Sequence, residues 1–373
     1  MDILEKMYEA AEKLPNSWIN DWKKTGKVLG YLCSYIPEEI LHAAKILPIR
    51  VTARGHSEST LADACMSRLN CPFARYLLDT VLSGKLDFLD GVIAYNSCDH
   101  IRRMFDNWRL RHKPPFYHFL SIPHRADELA MKWFQGELSN LRSHLESHFK
   151  ITISDDDLKE SIKLYNNTYD LLQALYDLRK REDPPIKGSD VAAIMTACLS
   201  MPKEAFNDLL SQLLDELEGK EGYSDLPRIM VVGSLVDNPE YIKIIEDLGS
   251  IVVTDSHCFG TKYFSDKVKI EGNPIEALSA RYLLKSPCPR MIDERTGHEK
   301  RLELIKSLIK EYYVDGVIFE RMTMCDLWSG EIFMLQNDLK QLGVPTLILE
   351  RDYIISGVGQ MKTRSQAFIE VLK

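Results

Sequence analysis

Asp87-Phe-Leu-Asp-Gly-Val-Ile-Ala-Tyr-Asn-Ser-Cys-Asp99 and Tyr313-Val-Asp-Gly-Val-Ile-Phe-Glu-Arg-Met-Thr-Met-Cys-Asp326 are two versions of one phrase. Each runs from an acidic-Gly turn through a short apolar stretch into a polar segment that closes on Cys-Asp. An uninterrupted apolar run of this length, bounded by turn residues, is the pattern of a strand buried on both faces, as in a parallel sheet. Cys98 and Cys325 then fall just beyond the carboxyl ends of two strands, where open α/β sheets gather their ligands.

Outward from the repeat, both halves read alike. In the first, strands are predicted over Lys27–Cys33, Leu47–Ala53, Val92–Tyr95 and Phe116–Ile122. Helices are predicted from Pro37, over Ser57–Leu69, from Asn70-Cys71-Pro72 and over Asp99–Arg111. In the second, Arg228–Ser234, Ile251–Asp255, the repeat strand and Pro345–Glu350 alternate with helices over Asn238–Leu248, Ile275–Leu284, Glu303–Tyr312, Glu331–Leu342 and Gln366–Leu372, and Ser286–Arg290 reads as a rigid loop. Between them, Asp127–Phe149, Asp156–Arg181 and Lys203–Leu217 are apolar at helical spacing with charged faces. The expected fold is α/β: two Rossmann-like parallel-sheet domains related by the internal repeat, at 1–124 and 225–373, with a helical segment at 125–224. Neither half carries a Gly-x-Gly-x-x-Gly at a strand–helix turn, which argues against a dinucleotide site of the common kind.

The 373 residues are 45% hydrophobic and 27% charged, ordinary for a soluble globular protein, with a net charge of −8. That balance gives no overall basic field and argues against a nucleic-acid partner. No apolar run approaches the roughly 20 residues that span a bilayer, and no signal-peptide pattern opens the chain. A cytoplasmic location follows as the expectation, and there the eight cysteines are thiols.

Cys33, Cys98, Cys258 and Cys325 lie at or just past predicted strand ends, and Cys71 and Cys288 on Pro-flanked turns. Cys71, at a helix start, is expected to have its thiolate stabilised by first-turn N–H groups. Cys65 and Cys198 sit inside apolar helical stretches and read as packing. The absence of a Cys-x-x-Cys knuckle argues against zinc, and the usual ferredoxin spacing is missing. His56, His100 and His257 lie near cysteines, but nothing orders them into a nucleophilic triad. A cluster held by scattered cysteines at a cleft between two α/β units remains open beside simple core packing.

Cys33-Ser-Tyr-Ile-Pro-Glu-Glu-Ile40, Asn70-Cys-Pro-Phe-Ala-Arg75, Asn96-Ser-Cys-Asp99, Met324-Cys-Asp326 and Gly359-Gln-Met-Lys-Thr-Arg364, taken in order, resemble the 2-hydroxyacyl-CoA dehydratase and benzoyl-CoA reductase superfamily. The resemblance implies two Rossmann-like domains and an oxygen-sensitive iron–sulfur subunit. In the dehydratases one 4Fe–4S cluster is held by three cysteines, which correspond to Cys71, Cys98 and Cys325. The further cysteines Cys33, Cys258 and Cys288 resemble the double-cubane branch, in which six cysteines hold an 8Fe–9S centre. The resemblance also implies an ATP-dependent iron–sulfur activator protein that supplies low-potential electrons, a homodimer or sister-subunit heterodimer, and a small-molecule or CoA-thioester substrate. A non-catalytic scaffold that has kept the fold is the third alternative.

Two further sets of residues are candidates. Glu350, Arg351 and Arg364, at the last strand's end and the following helix, are placed by the switch-point rule near the cleft, with Glu350 and Arg364 as catalytic candidates. Arg102, Arg103, Arg109, Arg111 and Lys113 make Ile101–Lys113 a local basic stretch, either a solvated helix face or a docking surface for the activator or CoA phosphates.

Overall fold

The computed structural model describes residues 2–285, 288–291 and 297–373. The first half runs α1 (Ile3–Glu12), α2 (Ser17–Trp22), β1 (Lys27–Tyr31), α3 (Glu38–Ala43), β2 (Ile46–Arg50), α4 (Thr60–Asp63), α5 (Pro72–Leu82), β3 (Gly91–Tyr95), α6 (Asp99–Arg111) and β4 (Tyr117–Leu120). Four helices follow: α7 (Glu128–Phe149), α8 (Asp155–Leu178), α9 (Gly188–Cys198) and α10 (Lys203–Leu217). The second half runs β5 (Arg228–Gly233), α11 (Pro239–Glu246), β6 (Ile251–Ser256), α12 (Thr261–Phe264), α13 (Pro274–Leu284), α14 (Gly297–Glu311), β7 (Gly316–Met322), α15 (Asp326–Gln341), β8 (Thr346–Arg351) and α16 (Val358–Leu372).

The strands form two four-stranded sheets, ordered β2-β1-β3-β4 and β6-β5-β7-β8, and every pairing is parallel. The two halves therefore share one topology as well as one phrase, and the α/β, two-Rossmann expectation holds. In each sheet the order reverses between the first and third strands, β1/β3 and β5/β7. That reversal opens the crevice in which such sheets bind ligands.

The acidic residue of the repeated Asp-Gly has the same task twice. The Asp90 N–H donates to the Val28 carbonyl at 2.9 Å, and its Oδ2 accepts from the Val28 N–H at 2.9 Å. The Asp315 N–H donates to the Arg228 carbonyl at 2.8 Å, and its Oδ2 accepts from the Arg228 N–H at 2.7 Å. Each aspartate thus clamps the start of its strand to the neighbouring first strand and fixes the register of the pair.

The helices between the halves are shared out over both sheets. Phe134, Leu138, Leu141 and Leu145 of α7 pack with Ile93, Phe116 and Leu120 on the first sheet. Ala192 of α9 packs with Ile229 and Val231 on the second. Ile275, Leu278 and Tyr282 of α13 cross back into the first sheet's core. A third cluster joins Val28, Leu47 and Val92 to Met230, Val232, Val317 and Phe319, so the two sheets share apolar packing. Among the described residues no helix is long and apolar enough to cross a membrane.

One element is shorter than its sequence suggests. The helix expected over Ser57–Leu69 is reduced to the single turn Thr60–Asp63. There the Leu61 and Ala62 N–H groups both donate to Asp79 Oδ2 of α5, a tertiary cap that replaces further helical bonds. The loop expected over Ser286–Arg290 falls partly on Ser286 and Pro287, outside the described residues.

Candidate functional site

Three cysteines stand at helix N-caps. Cys71 caps α5, with Pro72 as the first helical residue; Cys98 caps α6, and Cys325 caps α15. The last two enter their helices directly from the third strand of each sheet. Met324, at φ 56°, takes a left-handed backbone to turn the chain into Cys325. First-turn N–H groups point at each thiol: Ala74 and Phe73 at Cys71, Ile101 and His100 at Cys98, Trp328 at Cys325.

These N–H groups do not settle the protonation state. Burial pushes the Cys71 thiol up to about 12, against the helix N–H groups, and the Cys98 thiol feeds into the same rise. Burial likewise raises Cys98 and Cys325, with the Cys71 and Cys98 thiols adding to the rise at Cys325. The thiolate expected at Cys71 is therefore corrected: burial outweighs its helix N–H groups, and with the partly buried Cys98 and Cys325 thiols beside it the proton stays unless a positive centre replaces it.

His100 ties this trio together. Its Nδ1 lies 2.9 Å from Asn70 Oδ1, next to Cys71. Its Nε2 lies 2.9 Å from the Asp326 carboxylate, next to Cys325.

Cys33, Cys258 and Cys288 form a second set. Cys33 follows β1, and Cys258 follows β6 with its N–H on the Ser234 carbonyl at 3.0 Å. Burial pushes Cys258 up to about 12, with Cys288 and Cys33 both contributing. Cys33 differs: burial would raise its thiol, but Arg50, the Tyr95 hydroxyl and Lys285 outweigh it and hold the thiol below its ordinary range.

All six cysteines line one cavity, walled by apolar side chains that include Phe73, Ile101, Leu235, Leu327 and Trp328. Cys65 and Cys198 lie outside it, as expected for packing residues. Among the described residues no three Cys, His, Asp or Glu side chains converge tightly enough for a single metal ion. A cluster makes a different demand, since separate iron corners meet separate thiolates.

The cavity also holds three buried basic side chains that motif reading missed: Arg50, Lys262 and Lys285. Lys262 Nζ sits 4.1 Å from the Trp328 ring centroid and has no hydrogen-bond partner. Arg50 Nε and Nη1 are likewise unpartnered, with the guanidinium 5.5 Å from the Phe259 ring and 5.7 Å from the Tyr31 ring. Lys285 donates to the Ser34 carbonyl and lies 4.4 Å from the Tyr35 ring; burial and Arg281 push its pKa down to about 7. Behind them Arg290 donates to Pro123, Ile122 and Asn96 and faces Tyr95 at 5.2 Å. Buried cations with open valences around six sulfurs fit an anionic group. Lys262 and Lys285 had a sequence signal, each lying within four residues of a placed cysteine, and Arg50 had none.

The other candidates lie elsewhere. Neither Glu350 nor Arg364 lines the cavity; Glu350 pairs with Arg321, and Arg364 is exposed. Arg351 is buried, its Nε 2.7 Å from Glu320 and its guanidinium on the Leu235 carbonyl, a structural tie at the end of β7 and β8. On α6, Arg102 and Arg103 face Asp99 at 3.6 and 3.9 Å and Arg109 faces Asp106 at 3.3 Å, all at the surface.

Comparison with known proteins finds relatives along almost the whole chain. The sequence profile described as "2-hydroxyglutaryl-CoA dehydratase, D-component" matches residues 33–372. The chain is 29% identical to a benzoyl-CoA reductase subunit of Thauera aromatica, over 92% of this chain and 91% of that one. It is 27% identical to the (R)-2-hydroxyglutaryl-CoA dehydratase beta subunit of Acidaminococcus fermentans over the full length of both. It is 24% identical to the lactoyl-CoA dehydratase beta subunit of Anaerotignum propionicum, over 99% of this chain and 98% of that one.

Proposed function

The chain belongs to the 2-hydroxyglutaryl-CoA dehydratase D-component family, and from that premise we propose that it is an iron–sulfur subunit holding a double-cubane, 8Fe–9S centre on Cys33, Cys71, Cys98, Cys258, Cys288 and Cys325. The observation that carries this reading is the grouping of those six thiols around one cavity in two sets of three. When bound, such a centre would supply single low-potential electrons for reducing a small substrate. Arg50, Lys262 and Lys285 would offset the negative charge of the thiolates, and the apolar wall would keep water out. His100 would hold the N-termini of α6 and α15 in place.

The electrons would come from an ATP-dependent iron–sulfur activator. Its proposed docking surface is the exposed arginine face of α6, which begins at Cys98 and can present a ligand-bearing helix end to a partner. Reversing Arg102, Arg103 and Arg109 to glutamate should slow electron delivery; unchanged transfer and unchanged substrate affinity would refute this role. A catalytic role for Glu350 and Arg364 would require a second chain, a sister subunit or another copy, to close over them.

The names of the relatives favour a second reading, a subunit acting on a CoA thioester, for which the family resemblance implies one 4Fe–4S cluster on Cys71, Cys98 and Cys325. Iron and acid-labile sulfide per chain, measured on anaerobically purified protein with six single Cys→Ser variants, decides between them. About eight irons, lost on changing Cys33, Cys258 or Cys288, support the double centre. About four, sensitive only to the N-cap trio, support the single one. No iron in any preparation would leave a scaffold and refute both.

A further inference from the structure

A second cavity, of about 460 Å³, opens where α1 passes over the loops that follow β2, β5 and β8. It lies at the carboxyl ends of strands from both sheets, the ligand-bearing side of such folds. Phe73 and Tyr353, with ring centroids 5.5 Å apart, divide it from the cysteine cavity: Phe73 lines one and Tyr353 the other.

Its polar groups are arranged as a pair of opposite charges. Arg54 is buried at 7% exposure. Its Nε donates to Thr52 and its Nη1 to the Ala11 carbonyl at 3.0 Å, but Nη2 has no partner. Asp237 is buried at 3% and supplies the negative charge that bears on Arg54. Asp237 Oδ2 accepts from the Tyr353 hydroxyl at 2.7 Å, and that hydroxyl accepts from the Ala53 N–H at 3.1 Å, so the carboxylate is held in place. Glu9, Glu12 and Glu240 also line it, Glu9 with its carboxylate accepting from the Ser17 N–H and hydroxyl.

We propose that this cavity binds a small zwitterion of the free amino-acid class, its carboxylate toward the Arg54 side of the cavity and its ammonium group beside Asp237. A buried guanidinium with one unpaired nitrogen favours a nearby anion. The adjacent buried carboxylate and the acidic lining repel a ligand that is only anionic, which excludes a nucleotide or the phosphate-rich end of CoA. They attract one that also carries a cation. The apolar part of the wall, including Ala11, Pro239 and Ile354, suits a side chain rather than an ion alone. The inference does not depend on any cluster in the neighbouring cavity.

The test is isothermal titration of the full chain with each of the twenty amino acids, followed, for any that binds, by its deaminated acid and its decarboxylated amine. At least one amino acid should bind, and each truncated analogue should lose roughly tenfold or more in affinity. Asp237→Asn should weaken binding by a similar factor. If that buried variant fails to fold, the exposed Glu12→Lys serves instead and should weaken binding several-fold. Absence of binding by every amino acid overturns the proposal, as does equal affinity for a truncated analogue. An affinity unmoved by both variants also overturns it.

Discussion

His100, in the first turn of α6, reaches across the molecule to Asp326, in the first turn of α15, with Nε2 2.9 Å from the carboxylate. The contact joins the helix that starts at Cys98 to the helix that starts at Cys325, and Asn70 on Nδ1 brings in the start of α5. His100→Ala should leave the fold intact at a loss of about 1 kcal/mol. It should also speed loss of iron to a chelator from anaerobically loaded protein. An unchanged release rate would remove His100 from the support of the site.

Lys262 would bear on the proposed centre through its charge. Buried and without a hydrogen-bond partner, it faces Trp328 on one side and the thiols on the other. Lys262→Met keeps the volume and removes the charge. In a redox titration of the loaded protein the potential should move to more negative values, because added electrons lose a compensating cation.

Asp90 gives a pH-dependent contribution to stability. Burial would raise its carboxyl, but Lys23 at 2.8 Å, the Val28 N–H at 2.9 Å and Lys27 at 3.2 Å outweigh this and hold it below the usual carboxylate range. The unfolded chain therefore binds the proton first as pH falls. The contribution is complete above an unfolded pKa of about 3.9 and disappears as pH drops through the lower folded value. Asp90→Asn should cost about 1–2 kcal/mol at pH 7 in urea unfolding and flatten the acid limb.

His118 acts at higher pH. Burial, with His144 Nδ1 3.1 Å from its own, pushes its pKa down to about 4. The folded ring stays neutral while the unfolded one protonates near 6.5, so this contribution is intact above about 6.5 and declines as pH falls toward 4. At pH 5 the loss should be about 1 kcal/mol after solvent screening. His118→Gln should remove that part of the difference between unfolding midpoints at pH 5 and pH 7.

The glycines of the repeated phrase differ in what surrounds them. A Cβ on Gly91 would lie 2.5 Å from the Phe116 carbonyl oxygen and 2.8 Å from Leu29, inside the sheet. On Gly316 it would meet the ends of the Phe368 and Leu372 side chains at 2.8 Å, and these can move. Gly91→Ala should therefore cost about 1–3 kcal/mol, and Gly316→Ala less than about 1. Thermal melts of the two variants test the order.

The residues that could be read in advance were those whose position follows from local pattern. The repeat located β3 and β7, and α6 begins and ends at Asp99 and Arg111, the bounds its charge and apolar spacing predict. The six cysteines were separable from Cys65 and Cys198 because strand ends and Pro turns are local features. Long-range effects were not legible. Asp79 sits in a different element from the backbone it caps at Leu61 and Ala62. The burial that raises Cys71 comes from both halves of the chain; Met322 Sδ of β7 lies 3.7 Å from its sulfur. The burial of Arg50 and Lys262 in the cysteine cavity depends on segments far apart in the chain.

The apolar packing that joins the two sheets has a consequence for synthesis. Cys33, Cys71 and Cys98 leave the ribosome with the first sheet, while Cys325 emerges only near the end of the chain, and β8 and α16 follow it. Neither set of three thiols is complete in the first half: one waits for Cys258 and Cys288, the other for Cys325. Each set therefore depends on residues far apart in the chain. A cofactor seated on all six would need both halves of the chain in place, which ties its insertion to the packing of the two sheets against each other.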